Sequence, residues 1–323
     1  VLHLAPTDEQ RQLCDAVRGL LTKECTPDRV RAAEASGHDQ ALWDRCRELV
    51  PPEIALPGGG GTLLDVAQVA GLLGEFLAPV PLLDTVPAAR AAAALGADPA
   101  SVLTLAPRPP VDGVLVAVPS GAVADHVLFR DGDQLRITTD PVPDRPAPNL
   151  GGLAVADRST AGSRMLAAGP DAAASHATAV AEWKALLAAW LTGAGRRALR
   201  LGVDYAGQRE AFGVKVGTFQ AIAHRLADVA TALDAAGLLA WEAAWAFDRR
   251  PAEAPVYASM ALIQAADAAA AATRESLHVF GGYGFMLEYD IQLYFRRVKA
   301  AGLLVGDLSR EPEHLADLLW GVA

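Results

Sequence analysis

The sequence predicts a mainly α-helical protein with a small β region in its middle: a helical N-terminal part, a short β part and a C-terminal four-helix bundle. Three observations predict it. Apolar residues recur at helical spacing before about residue 100 and again after about residue 170. The stretch between them alternates in short runs broken by proline and glycine. Alanine, the best helix former, is abundant in both flanking stretches.

The chain has 323 residues, 52% of them hydrophobic, enough for a sizeable core and more than one structural unit. A net charge of -10 and a pI near 5.2 give no electrostatic footprint for nucleic acid or an anionic membrane. The three cysteines, Cys14, Cys25 and Cys46, are odd in number and form no C-x-x-C pair. That pattern suits neither a disulfide framework nor a zinc site, and a reducing cytoplasm is expected. Residues 1–10 have no basic start and no apolar core, so no signal peptide is expected. The alanine-rich run 265–272 is too short to span a bilayer. A mean hydropathy of +0.21 is therefore read as large buried helix faces.

Residues 7 to about 50 read as helical, starting with a capping box from Thr7 and Gln10 and continuing through Leu13, Val17, Leu20 and Leu21. Pro51-Pro52 breaks the pattern, and 57–61 is a glycine loop. Residues 63–76 form an apolar helix, and 83–95 continue the helical character. Short strands follow at 115–118, 126–129 and 134–139, with Asp131-Gly132-Asp133 marking a hairpin between the last two. Helices return at 172–208, 219–248, 254–280, 291–304 and 312–320. The first has Leu186, Leu187, Trp190, Leu191, Ala194, Leu199 and Val203 on its apolar side. The division expected is 1–100 helical, 101–168 reduced β and 169–323 helical bundle.

Two stretches carry the chemistry. Arg209-Glu-Ala-Phe-Gly-Val-Lys-Val-Gly-Thr-Phe-Gln220 sets one arginine, exposed-type aromatics, glycines and one glutamine around a junction between helices. His278-Val-Phe-Gly-Gly-Tyr-Gly-Phe-Met-Leu-Glu-Tyr-Asp290 is a glycine cluster followed by carboxylates. A guanidinium at Arg209 suits a pyrophosphate because its fork engages two oxygens at once. Glycines let a backbone approach a phosphate closely. Taken singly, Arg209 would pair with Glu210 or Asp228, Phe212 would be core, and the glycines an ordinary turn.

Together the stretches resemble the flavin-binding signatures of the acyl-CoA dehydrogenase family, R-x-x-F-G-x-x-x-x-x-F-Q and then x-x-x-G-G-x-G-F-x-x-E. The resemblance is specific over the last 150 or so residues and looser before them. It implies the family fold and FAD as cofactor, with Arg209, Phe212, Gly213, Gln220, His278, Gly281, Gly282 and Gly284 around the dinucleotide tail. The family usually has glutamine at the place of His278. Glu288 and Asp290 are read as capping the next helix, and Arg296, Arg297 and Lys299 as a basic face without a role.

Desaturation of a thioester needs a base on the α-proton and a hydride acceptor. Counted from Arg296-Arg-Val-Lys299, the family's usual glutamate falls on Val305, which takes no proton. A minority of the family places the base on the first bundle helix, here near Trp183. Glu182 is adjacent, but one helical step turns it about 100° away. No catalytic residue is therefore expected in this chain, and Glu182 is the candidate if there is one. The threonine- and tryptophan-bearing motifs that clasp the flavin ring are also missing from the middle region.

The resemblance implies the shorter subunit of a heteromeric acyl-CoA dehydrogenase of the kind used in actinobacterial steroid side-chain breakdown. A longer homologous subunit would supply the base and most of the acyl-CoA site, and an electron-transfer acceptor would take the electrons. The rival readings are a non-catalytic assembly protein and a self-sufficient homodimer using Glu182. Trp183, Trp190, Trp241 and Trp245 are expected at a largely apolar interface of more than about 2,000 Å² in total.

Overall fold

The structure is a computed structural model that describes residues 5–96 and 103–321. Residues 1–4, to which part of the signal-peptide reading applies, and the 100/101 boundary lie outside the described residues.

The N-terminal part comprises α1 (Asp8–Glu24), α2 (Pro27–Ala32), α3 (Gln40–Leu49), α4 (Leu63–Phe76) and α5 (Leu82–Ala94). Thr7 and Gln10 form the expected capping box on α1, and Thr62 with Asp65 forms another on α4. The expected helical stretch 7–50 breaks at Thr26-Pro27, where proline opens a new helix, and again around Gly37. Gly37 has φ +67, and a Cβ there would lie 2.2 Å from the backbone of Ala154. Its missing side chain lets the N-terminal part touch the β region.

That region forms a four-stranded sheet in the order β1-β3-β4-β6 and a separate β2–β5 pair. The strands are β1 (Leu103–Leu105), β2 (Val114–Val118), β3 (His126–Asp131), β4 (Gln134–Ile137), β5 (Ala156–Ser159) and β6 (Arg164–Ala168). The hairpin signal holds: Asp131 pairs with Gln134, and Gly132 takes φ +59 between them. β1, β5 and β6 were not anticipated. Arg158 on β5 is 1% exposed, pairs with Asp140 at 2.9 Å and caps the carbonyls of Gly121 and Ala124. A buried charge of this kind is stable only because every donor finds an acceptor.

The C-terminal bundle comprises α6 (Pro170–Gln208), α7 (Gln220–Arg249), α8 (Ala254–Phe280), α9 (Ile291–Leu304) and α10 (Glu311–Trp320). Alanines 185, 188, 194, 236, 240, 261, 265 and 269 are buried and bring the helix axes close. α4 lies on α6 through glycine contacts. A Cβ on Gly74 would sit 2.0 Å from the Trp190 carbonyl oxygen, and one on Gly193 would sit 1.9 Å from that of Gly71. α10 is pinned by Glu311, which accepts from Lys184 at 2.6 Å and from Ser259 at 2.8 Å. One buried core runs through the N-terminal helices, β1, β3, β4 and the bundle.

Three expectations change. Trp183 and Trp190 are 1% and 7% exposed, packed inside the chain and not on an outer face; Trp241 and Trp245 are half-buried. Arg296, Arg297 and Lys299, read as one basic face, are divided by burial of Arg297. Arg296 pairs with Glu34 at 2.6 Å, while Arg297 is buried and donates to the carbonyls of Val30 and Leu77. Asp290 stands at the N-cap of α9, yet its carboxylate binds Arg31 at 2.6 Å instead of the helix backbone.

Candidate functional site

α6 ends at Gln208, and the chain turns extended at Arg209. β7 (Glu210–Ala211) and β8 (Val214–Lys215) then form a tight hairpin, with Ala211 opposite Val214. Phe212 and Gly213 are the loop, at φ +54 and +79. Positive φ at both central residues is the turn whose twist suits a two-residue hairpin. Glycine adopts it freely and phenylalanine does not, so Phe212 is held in a conformation that costs about 1 kcal/mol or more. Its ring is 97% exposed at the tip, with Phe219 edge-on at 6.4 Å.

Arg209 lies exposed at the base of this hairpin. Glu210, its nearest acid in sequence, pairs instead with Lys215 at 2.6 Å. Among the described residues no hydrogen bond or ion pair engages the Arg209 guanidinium. Gln220 opens α7 and is exposed.

The glycine cluster forms a short 3-10 turn, Gly281–Phe285, after α8. Gly281 has φ +61, and a Cβ at Gly281 or Gly282 would meet nothing within 4 Å. Both present backbone outward. Gly284 differs: it is buried, and a Cβ there would lie 3.0 Å from Leu277, so packing accounts for it. His278 is exposed in the last turn of α8, where its carbonyl oxygen accepts the Gly281 N–H. Tyr205, one turn before Arg209, stacks on Phe280 at 4.1 Å, and Tyr289 packs edge-on to Phe280 at 5.5 Å. This aromatic cluster brings the arginine hairpin and the glycine turn to one end of the bundle.

Around them lies exposed apolar surface, including Phe285 at 67% and Leu287 at 75%. A groove of about 470 Å³ between the end of α6 and the start of α7 is lined by Val203, Ala206, Leu226 and Ala230. Val203, expected on the buried side of α6, is 48% exposed there.

The two expected positions for a base look different. Val305 is the half-buried C-cap of α9. Trp183 donates its indole N–H to Asp84 at 2.8 Å, and Ser120 donates its hydroxyl to the other Asp84 oxygen. Burial raises the Asp84 carboxyl above its usual range, against the lowering effect of those two hydrogen bonds. Beside it is a cavity of only about 90 Å³, between Leu187, Trp190, Ala301 and Leu304. With both oxygens engaged and so little space, Asp84 has no room to meet a thioester. Nothing in the apolar pattern of α5 marked this carboxylate. Glu182 turns away from that cavity, pairs with Arg90 at 2.9 Å and is pushed up to about 7 by burial.

The bundle matches the family model for the acyl-CoA dehydrogenase C-terminal domain over residues 173–311. The acyl-CoA dehydrogenase IpdE2 of Mycobacterium tuberculosis is 32% identical over 98% of this chain and 99% of its own length. The chain belongs to the acyl-CoA dehydrogenase family. The IpdE2 of Mycolicibacterium smegmatis is 30% identical over 93% of this chain and 95% of its own. Among solved structures, a variant of the Tcur3481-Tcur3483 steroid ACAD superposes with a TM-score of 0.84 at 26% identity, covering 97% of this chain and 98% of that one. The ChsE4-ChsE5 complex from Mycobacterium tuberculosis gives a TM-score of 0.86 at 23% identity over the full length of both chains, which establishes the fold. This member of the acyl-CoA dehydrogenase family combines the outward hairpin and glycine turn with Trp183 and Val305 at the two positions where a base was expected.

Proposed function

We propose that this chain is the shorter subunit of a two-chain, FAD-dependent acyl-CoA dehydrogenase, presenting the dinucleotide-tail half of a flavin site to a longer homologous partner. The observation that carries this reading is the unpaired Arg209 beneath an exposed, strained Phe212, next to the open backbone of Gly281 and Gly282. An arginine with no carboxylate partner among the described residues, an exposed aromatic ring and two glycines with open space at the Cβ position fit a pyrophosphate and an adenosine arriving from outside. The exposed apolar rim of Phe285 and Leu287 suits burial by the partner that brings them.

FAD, when bound, supplies the hydride acceptor for α,β-desaturation of an acyl-CoA thioester. This chain's residues would hold its tail: Arg209 by charge-assisted hydrogen bonds, Phe212 by contact with the adenosine, and Gln220 by a hydrogen bond. Gly281 and Gly282 would admit phosphate oxygens to the backbone, with His278 in place of the family's glutamine. The proton is removed by the partner's base, because Trp183 and Val305 occupy this chain's two base positions. The steroid ACAD among its structural relatives supports a steroid side-chain CoA as substrate, and the two-chain ChsE4-ChsE5 complex supports the division of labour. An electron-transfer acceptor completes the cycle.

The test is flavin content. Purified alone, the chain is expected to be colourless; co-expressed with a longer homologue it should copurify with flavin and acquire dehydrogenase activity. Yellow, active protein from this chain alone would overturn the reading in favour of a homodimer.

A further inference from the structure

A cleft of about 1170 Å³ lies away from the flavin-tail surface. It opens between the 57–62 loop, the end of α5, the first turns of α6 and the last turn of α7. Glu182 and Arg209 are separated along α6 by about 40 Å at 1.5 Å per residue, and Asp248 and Gln220 along α7 by a similar distance. The two regions therefore lie toward opposite ends of the bundle.

Alanines 55, 91, 94, 174 and 179, with Leu56, give the cleft apolar walls. Its charged groups converge on one spot. Arg90 donates to the Glu182 carboxylate at 2.9 Å, to the carbonyl oxygen of Ala55, and toward Asp248 at 3.5 Å. Each of its three guanidinium nitrogens therefore already has an acceptor. Asp248 also accepts the Leu63 N–H, and Asp171 stands at the rim. One cation against Glu182, Asp248 and Asp171 leaves the lining with an excess of negative charge. Glu182 itself is 4% exposed, and only one of its two oxygens, Oε1, has a protein donor among the described residues.

A carboxylate oxygen without a donor, at the floor of an apolar cleft with surplus negative charge, is the arrangement that recognises a cation on an apolar body. We infer that this cleft is a second ligand site, separate from the acyl-CoA chemistry, that takes an apolar amine whose ammonium donates to Glu182. The same charge balance excludes anionic ligands such as carboxylates and CoA phosphates from the floor. Arg90 acts as a positioning residue: it fixes one Glu182 oxygen and leaves the other for the ligand. The raised Glu182 adds a pH signature, because the carboxylate that pairs best with an ammonium forms as pH rises through about 7. Arg90, Asp248 and Asp171 are the other charged groups facing the cleft.

The test uses three probes with one body and different heads: cyclohexylmethylamine, cyclohexylmethanol and cyclohexanecarboxylate. Binding to the full chain is followed by ligand-observed NMR and calorimetry. The amine should bind best, tighten between pH 6 and pH 8, and weaken about tenfold in Glu182→Gln. Thr178→Trp, at an exposed wall position one turn from Glu182, should block it while leaving the Arg90 ion pair in place. Carboxylate binding equal to the amine's would overturn the proposal. So would amine binding unchanged in Thr178→Trp, or no amine binding to folded wild-type chain. Preferred binding of the alcohol at all pH values would replace the amine with a neutral hydroxyl donor and defeat the charge argument.

Discussion

Asp84 accepts the indole N–H of Trp183 at 2.8 Å, joining α5 to α6 near the position where the sequence resemblance leads one to expect an alternative base. A tryptophan there is more than a lost carboxylate. Its ring is buried, and its N–H helps hold a buried acid that would otherwise be costly.

Replacing Trp183 by Phe should therefore destabilise the chain by about 1–3 kcal/mol, the cost of leaving a buried acceptor short of a donor. Chemical denaturation reads this directly. The double variant Trp183→Phe with Asp84→Asn should cost less than the sum of the two single changes, since the residues share one bond.

Arg209→Ala should lower flavin occupancy of the assembled complex and leave the fold intact, because the exposed guanidinium makes no hydrogen bond or ion pair among the described residues. A charge-assisted hydrogen bond of this kind is worth about 1.5–3 kcal/mol, roughly tenfold or more in flavin affinity. Flavin absorbance per complex, measured after dilution, would show no change if the assignment is wrong.

Phe212→Gly should move stability and function in opposite directions. Glycine relieves the φ +54 conformation and should stabilise the isolated chain's hairpin by up to about 1 kcal/mol. The same change removes the ring at the tip and should loosen flavin in the complex. Paired measurements of hydrogen exchange in 210–215 and of flavin retention separate the effects.

Glu182→Gln should leave turnover of the complex near wild type, since the base is expected on the partner. It should alter the pH dependence of stability. The Glu182 carboxyl is held up at about 7 by burial, so the folded chain binds this proton more tightly than the unfolded chain does. Its stabilising contribution is complete below about pH 4.5 and is lost as pH rises through about 7, amounting to roughly 3 kcal/mol at most. The glutamine variant should lack that decline, and unfolding curves at pH 5 and pH 8 compare the two. A drop in turnover of 10²-fold or more, with flavin retained, would place the base in this chain.

Long-period patterns carried the helices: α4, α6, α8 and α9 all lie within two residues of the sequence expectation, because alanine-rich amphipathic runs have few alternatives. The hairpin between β3 and β4 was equally plain from Asp131-Gly132-Asp133. β1, β5 and β6 were not, since three to five residues give too short a period to read and tertiary pairing decides them. Of the candidate site, the sequence named Arg209, Phe212 and the glycines but not the hairpin that aims them, whose only local sign is the Phe212-Gly213 pair. The Asp84–Trp183 and Arg90–Glu182 pairs join positions far apart in the chain, 99 and 92 residues, and no single stretch announces either.

The glycine contacts between α4 and α6 have a consequence for motion. With Gly74 against the Trp190 carbonyl and Gly193 against that of Gly71, the two backbones meet with no side chain between them to slide or swing. Such a seam has no lubricating layer, so α4 and α6 are expected to move together. In the proposed two-chain assembly, breathing that admits flavin or substrate would then arise at the contact between the chains, and the lifetime of that association, more than sliding of α4 on α6, would set the pace of exchange.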